Sequence, residues 1–457
     1  MIGGGLAGLS SAVALADAGL CVRLLERRPF LGGRAASYDL PGGEHVDNCQ
    51  HVTLGCCTNL AHFYARIGSS HKIAFFNELY FVDSAGHRAV MQASPLPPPL
   101  HLAPSLLLYP FLNWTDRHAI GHAMMAIARR GDGNGIRDGS GESMLAWLRR
   151  HGQSQAAIDK FWNVILVSAL NEEVSRTDAR YGLDVFWKAF LSNRRGGLFG
   201  VPRAPLGDLY ENVAAAIERL GGSVVLRAPV RGLRVSDGRI AGVQMDGGAE
   251  ETADLYVLAV SHQAFLDLLP SSVIDGEPDF ADVRRLRVSP ITGVHFWFDR
   301  EVMAERFLAT LDTITQWVFN KSQLYGRPGG YLQLVISASY DLMQRSRQEI
   351  IDLCRSELRV LLPATREANL LKATVVKEAA ATFSPEPGSD DWRPTQRTPL
   401  PNLYLAGDLT RTGWPATMEG AVRSGYLAAE AVLDALGAPQ RLVQPDLPPE
   451  GLARWLA

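Results

Sequence analysis

The chain has 457 residues, 47% of them hydrophobic and 20% charged, a globular composition too long for one ordinary domain and unlike that of a disordered chain. Its formal net charge of -3, with Lys and Arg scattered along the chain, leaves no basic surface of the kind nucleic acid requires. Five cysteines, with Cys56 and Cys57 adjacent and no paired spacing, argue against a disulfide framework or a metal site and fit a reducing cytoplasm.

No basic stretch followed by an apolar core marks a signal peptide, and no unbroken apolar run of about 18 residues marks a membrane span. Leu100 to Trp114 comes nearest and is broken by Pro104 and Pro110.

In chain order, Ile2 leads into Gly3-Gly4-Gly5, Leu6 to Ala18 has small and apolar residues at helical spacing, and Val22 to Glu26 reads as a buried strand. Only Met1 and Ile2 precede the first glycine, so either the first strand is curtailed or the frame begins upstream. From Ala61 to about Arg203 the pattern is mainly helical, clearest at Trp147 to Arg150 and Ile158 to Leu170. Strands return at Val224 to Leu226, Val230 to Val235, Ile240 to Met245 and Leu255 to Val260, with Asp237-Gly238 as a hairpin turn. A mixed block follows, with strands near Thr292 to Phe298, Gln316 to Asn320, Tyr331 to Ser337 and Lys372 to Ala379 and a helix near Arg347 to Leu361. Leu403 to Ala406 is a last buried strand, Glu419 to Leu436 a last helix, and the Pro-rich end a loosely docked tail.

The predicted fold class is therefore α/β, a Rossmann-type nucleotide domain interleaved with an α+β substrate domain. The nucleotide domain takes residues 1–70, 204–270 and 390–436, the substrate domain 71–203 and 271–389, and the tail 437–457.

Gly3, Gly5 and Gly8 fit G-x-G-x-x-G, with Ala7 inside the motif: a tight turn, a backbone open to a pyrophosphate, and close helix–strand packing. The helix N-terminus offers free N–H groups to phosphate. Glu26, with Arg27 beside it, ends the second strand about 20 residues on, where a carboxylate accepts ribose hydroxyls. Gly32-Gly33-Arg34 forms another turn whose guanidinium reaches phosphate or flavin oxygens. Far along the chain, a buried strand ends in Gly407-Asp408 and Met418-Glu419-Gly420-Ala421 opens a helix. That arrangement suits a ribityl or pyrophosphate contact and a helix dipole at the flavin.

In this order and spacing the segments resemble the flavin amine oxidase and phytoene desaturase superfamily, which implies FAD. The resemblance implies FAD contacts from Gly3, Gly5, Ala7, Gly8, Glu26, Arg27, Gly33, Arg34, Gly407, Asp408, Met418 and Ala421, and an adenine contact through the backbone of Val230. No Cys lies shortly before Trp414, where related covalent flavoenzymes have their attachment residue. Amine oxidases of this type carry an aromatic where Thr417 stands, so an amine substrate is disfavoured unless Trp414 replaces that wall.

The middle of the chain is similar to the bacterial hydroxysqualene dehydroxylases of hopanoid synthesis, at Asp47 to Val52, Leu54 to Thr58, Ser168 to Glu172 and Gly200 to Arg203. Asn48-Cys49 departs from that pattern, which has a small residue followed by Gly. The resemblance implies reductive removal of an allylic hydroxyl from a long-chain isoprenoid, in squalene and hopanoid biosynthesis. A departing hydroxide needs a proton donor, for which His51 is the first candidate and Asp47, Asn171 and Arg203 are further ones. Alternatives are an isoprenoid (carotenoid-type) desaturase, an amine oxidase, and a non-catalytic flavin or lipid carrier. The flavin's electron donor is not identified by the residues. Ser94 to Trp114, apolar and proline-broken, is expected to touch the inner face of the membrane peripherally.

Overall fold

The computed structural model describes residues 1–132 and 141–456. A parallel sheet takes the order Ser223–Val225, Arg23–Leu25, Ile2, Tyr256–Leu258, Leu403–Leu405. Ile2 is paired on both sides: its N–H donates to Val257 O at 2.9 Å, and Gly3 N–H donates to Leu25 O at 2.9 Å. Placing Ile2 at the centre forces the following glycines to the carboxyl edge of the sheet, the side on which open α/β sheets bind ligands.

Helix Leu6–Asp17 covers one face and packs along helix Met418–Ala435. The close contact has a steric cause. A Cβ on Gly8 would lie 2.0 Å from Gly3 O, and one on Gly425 2.3 Å from Ala7 O. Leu9, Val13, Val422, Tyr426 and Val432 fill the space between these helices and the sheet.

The second sheet has seven strands, in the order Leu370–Phe383, Val288–Phe298, Gly330–Ser337, Trp317–Asn320, Phe307–Thr310, Glu78–Val82, Arg88–Gln92. Its pairs are antiparallel except Phe307–Thr310 with Glu78–Val82. Alternation along the strands divides its faces. Val294, Phe296, Leu332 and Leu334 meet Ile350, Cys354 and Leu358 of helix Arg347–Leu361. Trp317, Phe319 and Val335 face the helical layer around Trp162 and Phe186. Truncating Leu334 to Ala, with Leu334 wholly buried, would cost about 2–5 kcal/mol.

Two expectations need correction. The region 61–203 is not mainly helical throughout, since strands occupy Ile73–Phe76, Glu78–Val82, Arg88–Gln92 and Phe199–Pro202. Phe81 and Val82 are both buried, so no period-2 signal marks that strand, and its turn is built by Asp83, whose Oδ1 accepts from Ala85 N and His87 N. The tail is not loose either. Gln444 exchanges hydrogen bonds with Asn59, Glu450 N–H donates to Ser192 O, Ala453 N–H donates to Pro98 O, and Leu442 and Ala453 are buried.

Candidate functional site: a dinucleotide cleft beside an apolar cavity

The glycine turn and the Gly32-Gly33 turn lie back to back. Gly32 N–H donates to Gly4 O at 2.8 Å, and a Cβ on Gly33 would lie 2.9 Å from Gly5 Cα. Gly3 has φ +104° and Gly33 φ +61°, values that side chains resist. Gly5 heads helix Leu6–Asp17 with no side-chain cap and no acid in the first turn, so the leading N–H groups stay free for an anion.

Glu26 is buried, and both its oxygens are held by backbone: Gly4 N–H reaches Oε2 at 2.7 Å and Arg28 N–H reaches Oε1 at 2.8 Å. The carboxylate is thus fixed beside the turn with lone pairs left for ribose hydroxyls. Ala228 N–H donates to Glu26 O at 2.9 Å, which brings the start of strand Val230–Ser236, and so Val230, to the same end of the cleft. Arg27 is exposed, whereas Arg28 turns inward to Gly33 O at 3.0 Å.

Arg34 and Asp408 converge from the two ends of the chain, with Nη2 2.8 Å from Oδ2. That contact is close enough for an ion pair but lacks hydrogen-bond alignment, so the buried Asp408 carboxylate has no hydrogen-bond donor among the described residues. A buried carboxylate with one ion-pair partner and no aligned hydrogen-bond donor keeps lone pairs for the hydroxyls of a ligand, and the uncapped N–H groups of helix Leu6–Asp17 suit a pyrophosphate. Arg34 also donates to Ala381 O, so its guanidinium bridges the two layers rather than reaching freely toward phosphate. Gly407, at φ +108°, donates its N–H to Ser424 Oγ and aims Asp408 into the cleft.

Thr417 caps helix Met418–Ala435 by accepting from Gly420 N–H. Glu419 turns away and caps helix Thr58–Arg66 instead, taking Asn59 N–H and Leu60 N–H. Ala421 sits in the first turn and Met418 and Thr417 border a cavity. Trp414 also lines that cavity, held between Lys188 Nζ at 5.7 Å and the Arg423 guanidinium at 5.3 Å from its ring centre. Asp446 pairs with both cations, so the C-terminal segment fixes this wall.

The cavity, of about 200 Å³, runs from Met418 toward Phe199, Trp317, Phe319 and Val335 of the sheet layers. The π-helical turn Phe186–Leu191 supplies Lys188, Ala189 and Phe190 to its lining; such turns reaim side chains inside helices.

The proton-donor candidates do not gather there. His51 is not among the lining residues, and its Nδ1 lies 3.0 Å from Cys49 O. Burial holds its pKa below the ordinary imidazole value, and a neutral ring donating to that carbonyl presents only an acceptor at Nε2. Asn171 closes helix Asn163–Leu170 in the left-handed region and binds Ser289, Thr382 and Ala338; Arg203 is exposed.

Asp47 is buried in an ion pair with Lys321 Nζ at 2.7 Å and also accepts from Tyr325, Ser37 and Leu206. Burial opposes its charge, but Lys321 and those hydrogen bonds outweigh it and hold the carboxyl at about 2. Lys321 also donates to Gln50 Oε1, and Gln50 borders the cavity. Lys321, His295 and Gln333 escaped the sequence reading. Their signal was a polar residue inside an otherwise apolar strand or at its end, as in Val294-His295-Phe296 and Leu332-Gln333-Leu334.

A glycine cradle, a fixed acidic residue on the second strand and a Gly-Asp segment closing the cleft define a FAD-dependent oxidoreductase. The chain belongs to the flavin containing amine oxidoreductase family, whose model matches residues 6–433. It is 27% identical to the 15-cis-phytoene desaturase of Synechococcus elongatus, over 94% of each chain. It is also 27% identical to the zeta-carotene desaturase of Synechocystis sp., over 95% of this chain and 96% of that one. Among solved structures, an oxidoreductase from Methanosarcina mazei has TM-score 0.73 at 19% identity, covering 95% of this chain and 99% of that one. Putrescine oxidase bound to putrescine has TM-score 0.73 at 18% identity, covering 95% and 98%.

Proposed function

We propose that this chain transfers hydride between FAD and a long-chain isoprenoid. The observation that carries this reading is the cavity beside the Asp408 end of the cleft: Leu79, Ile165, Phe199, Trp317 and Val335 line it. Such a wall holds hydrocarbon through burial of apolar surface. At about 200 Å³ the cavity is smaller than pockets that enclose whole drug-sized ligands, which suits the reacting segment of a long chain.

Bound FAD supplies two-electron chemistry in either direction. The protein's part is to exclude water and align one allylic carbon. Relatives whose names are phytoene and zeta-carotene desaturase support carotenoid-type desaturation, in which two C–H bonds break and a proton leaves with the hydride. An amine substrate is disfavoured because Thr417, which caps the helix behind it, stands where amine oxidases of this type carry an aromatic wall.

Reductive dehydroxylation of hydroxysqualene is the second reading, in which a C–O bond is replaced by C–H and a proton joins the departing hydroxide. It draws on the middle motifs and on polar side chains that border the cavity, Gln50, Ser168 and Ser337, which a pure hydrocarbon does not need. Anaerobic incubation of the FAD-loaded protein with C30 and C40 isoprenoids tests both readings. Oxidised flavin with phytoene should give a product two hydrogens lighter; reduced flavin with hydroxysqualene should give squalene. Formation of neither product, with FAD bound, would overturn the isoprenoid assignment.

Peripheral membrane contact is part of the proposal. Leu107, Leu108 and Trp114 are exposed, Leu108 at 80%, while Tyr109 and Leu112 anchor the segment in the core. Among the described residues no helix is long and apolar enough to cross a membrane. Trp455 and Leu452 add exposed apolar surface on the C-terminal turn, whose helix Ala453–Leu456 packs on Trp114–Arg130.

A further inference from the structure

Proton delivery is the step of the dehydroxylation reading for which the site has no group yet, since His51 lies outside the cavity. The titratable residues that do line it are Cys56, Cys57, Tyr181, Asp184, Lys188 and Glu419. Most of them are spent. Tyr181 O–H donates to Asp390 and accepts from Arg393, Asp184 is held by Arg130 at 2.8 Å, and Glu419 takes Asn59 N–H, Leu60 N–H and the Arg423 guanidinium. Contact with Cys57 and burial push the Cys56 thiol well up, which leaves a weak acid.

Lys188 differs from these. It is the only lysine or arginine among the lining residues, and the π-helical turn Phe186–Leu191 carries it into the wall. Its side chain is only 17% exposed, and its ammonium has three N–H groups. Among the described residues Asp446 is its one hydrogen-bond acceptor, with Asp132 3.8 Å away. Nζ lies 5.7 Å from the ring centre of Trp414, which lines the cavity together with Thr417 and Met418, so the ammonium stands beside the wall from which helix Met418–Ala435 starts. Burial opposes its charge, but Asp446, Asp184 and Asp132 outweigh burial and hold the pKa above the ordinary lysine value. The group is therefore protonated at neutral pH and keeps N–H capacity at the cavity wall.

We propose that Lys188 is the proton donor for a hydroxyl leaving an allylic carbon of the isoprenoid: Nζ–H hydrogen-bonds that oxygen in the bound state and gives up its proton as the C–O bond breaks. The step balances. Reduced FAD supplies the hydride and is oxidised, C–H replaces C–O, and the proton from Lys188 turns the departing hydroxide into water. Transfer from an ammonium to hydroxide is downhill, because the pKa of water, about 15.7, lies far above that of lysine. The amine left behind regains its proton from solvent through Asp132, whose side chain is 47% exposed. This assignment rests on the dehydroxylation reading and not on the desaturase one.

The test is single-turnover reduction of hydroxysqualene by the reduced, FAD-loaded protein, with hydroxysqualene binding to the oxidised, FAD-loaded protein measured alongside. Lys188→Met removes the proton, and Asp446 keeps Arg423 as its partner, so no buried charge is stranded. The rate should fall by about 10² or more, the contribution of a general acid, with FAD affinity unchanged. Lys188→Arg keeps a cationic donor but holds its protons too tightly to release them. It should bind hydroxysqualene about as tightly as the parent yet lose rate as Lys188→Met does, a split between binding and chemistry that a merely structural lysine does not produce. A rate within about tenfold of the parent in either variant overturns the assignment while the reaction stands. A loss of rate that excess FAD restores marks a structural role and also overturns it. Absence of squalene from the reduced, FAD-loaded parent overturns both the assignment and the dehydroxylation reading.

Discussion

Arg34 Nη2 and Asp408 Oδ2 lie 2.8 Å apart, a contact between a turn near the first helix and a strand end near the last. It closes the cofactor cleft from segments that only folding brings together, and it sets the first prediction. Asp408→Ala and Glu26→Ala should each weaken FAD binding by about 1.5–3 kcal/mol, the value of a hydrogen bond to a charged group. That is roughly one to two decades in Kd by flavin fluorescence titration, with the fold retained by circular dichroism. Affinity equal to the parent in both variants would show that these carboxylates do not touch the cofactor. Acid precipitation should release all the flavin as FAD into the supernatant, and colour kept in the pellet would show a covalent link.

The Asp47–Lys321 pair makes stability depend on acid pH. Because the folded carboxyl is held at about 2, below the unfolded value near 3.9, its stabilising effect is fully present above that unfolded value. The effect should be lost as pH falls from about 4 through 2. Lys321→Met should strand the buried Asp47 charge and cost about 3–5 kcal/mol at neutral pH, whereas Lys321→Met with Asp47→Leu should recover much of it. Thermal melts across this window check the sign; a single variant as stable as the parent would refute the assignment.

His51→Ala should change turnover by less than about tenfold, because a general acid contributes about 10²–10⁴ and the ring is committed to Cys49 O outside the cavity. A loss of about 10² or more, with FAD binding intact, would restore His51 as the proton donor.

Replacing Leu107 and Leu108 with Ser should reduce co-flotation with anionic liposomes while leaving FAD bound, since both side chains are exposed and neither borders the cavity. Trp114→Ser and Trp455→Ser should act in the same direction. Unchanged flotation in the combined variant would remove the membrane proposal.

The fingerprint glycines, Glu26 and the Gly407-Asp408 strand end were legible in the chain because each carries a local constraint. Gly3 and Gly33 need positive φ, Gly8 needs a bare Cα against Gly3 O, and a short buried strand must precede each turn. Helix Arg347–Leu361 was equally legible, because its apolar positions recur at helical spacing and Ser346 with Glu349 forms a capping box. Such features depend on neighbours within a few residues, so pattern alone determines them. Only the tertiary structure decided that Asp47 is spent on Lys321, that His51 faces a carbonyl, that the last segment clamps Trp414 through Asp446, and that His295 stands beside Gln333. Those relations depend on strand register and on the desolvation of polar groups brought from distant parts of the chain. Because moving a strand by one residue exchanges its two faces, residue identity alone did not say which polar atoms would be buried, or with what partner.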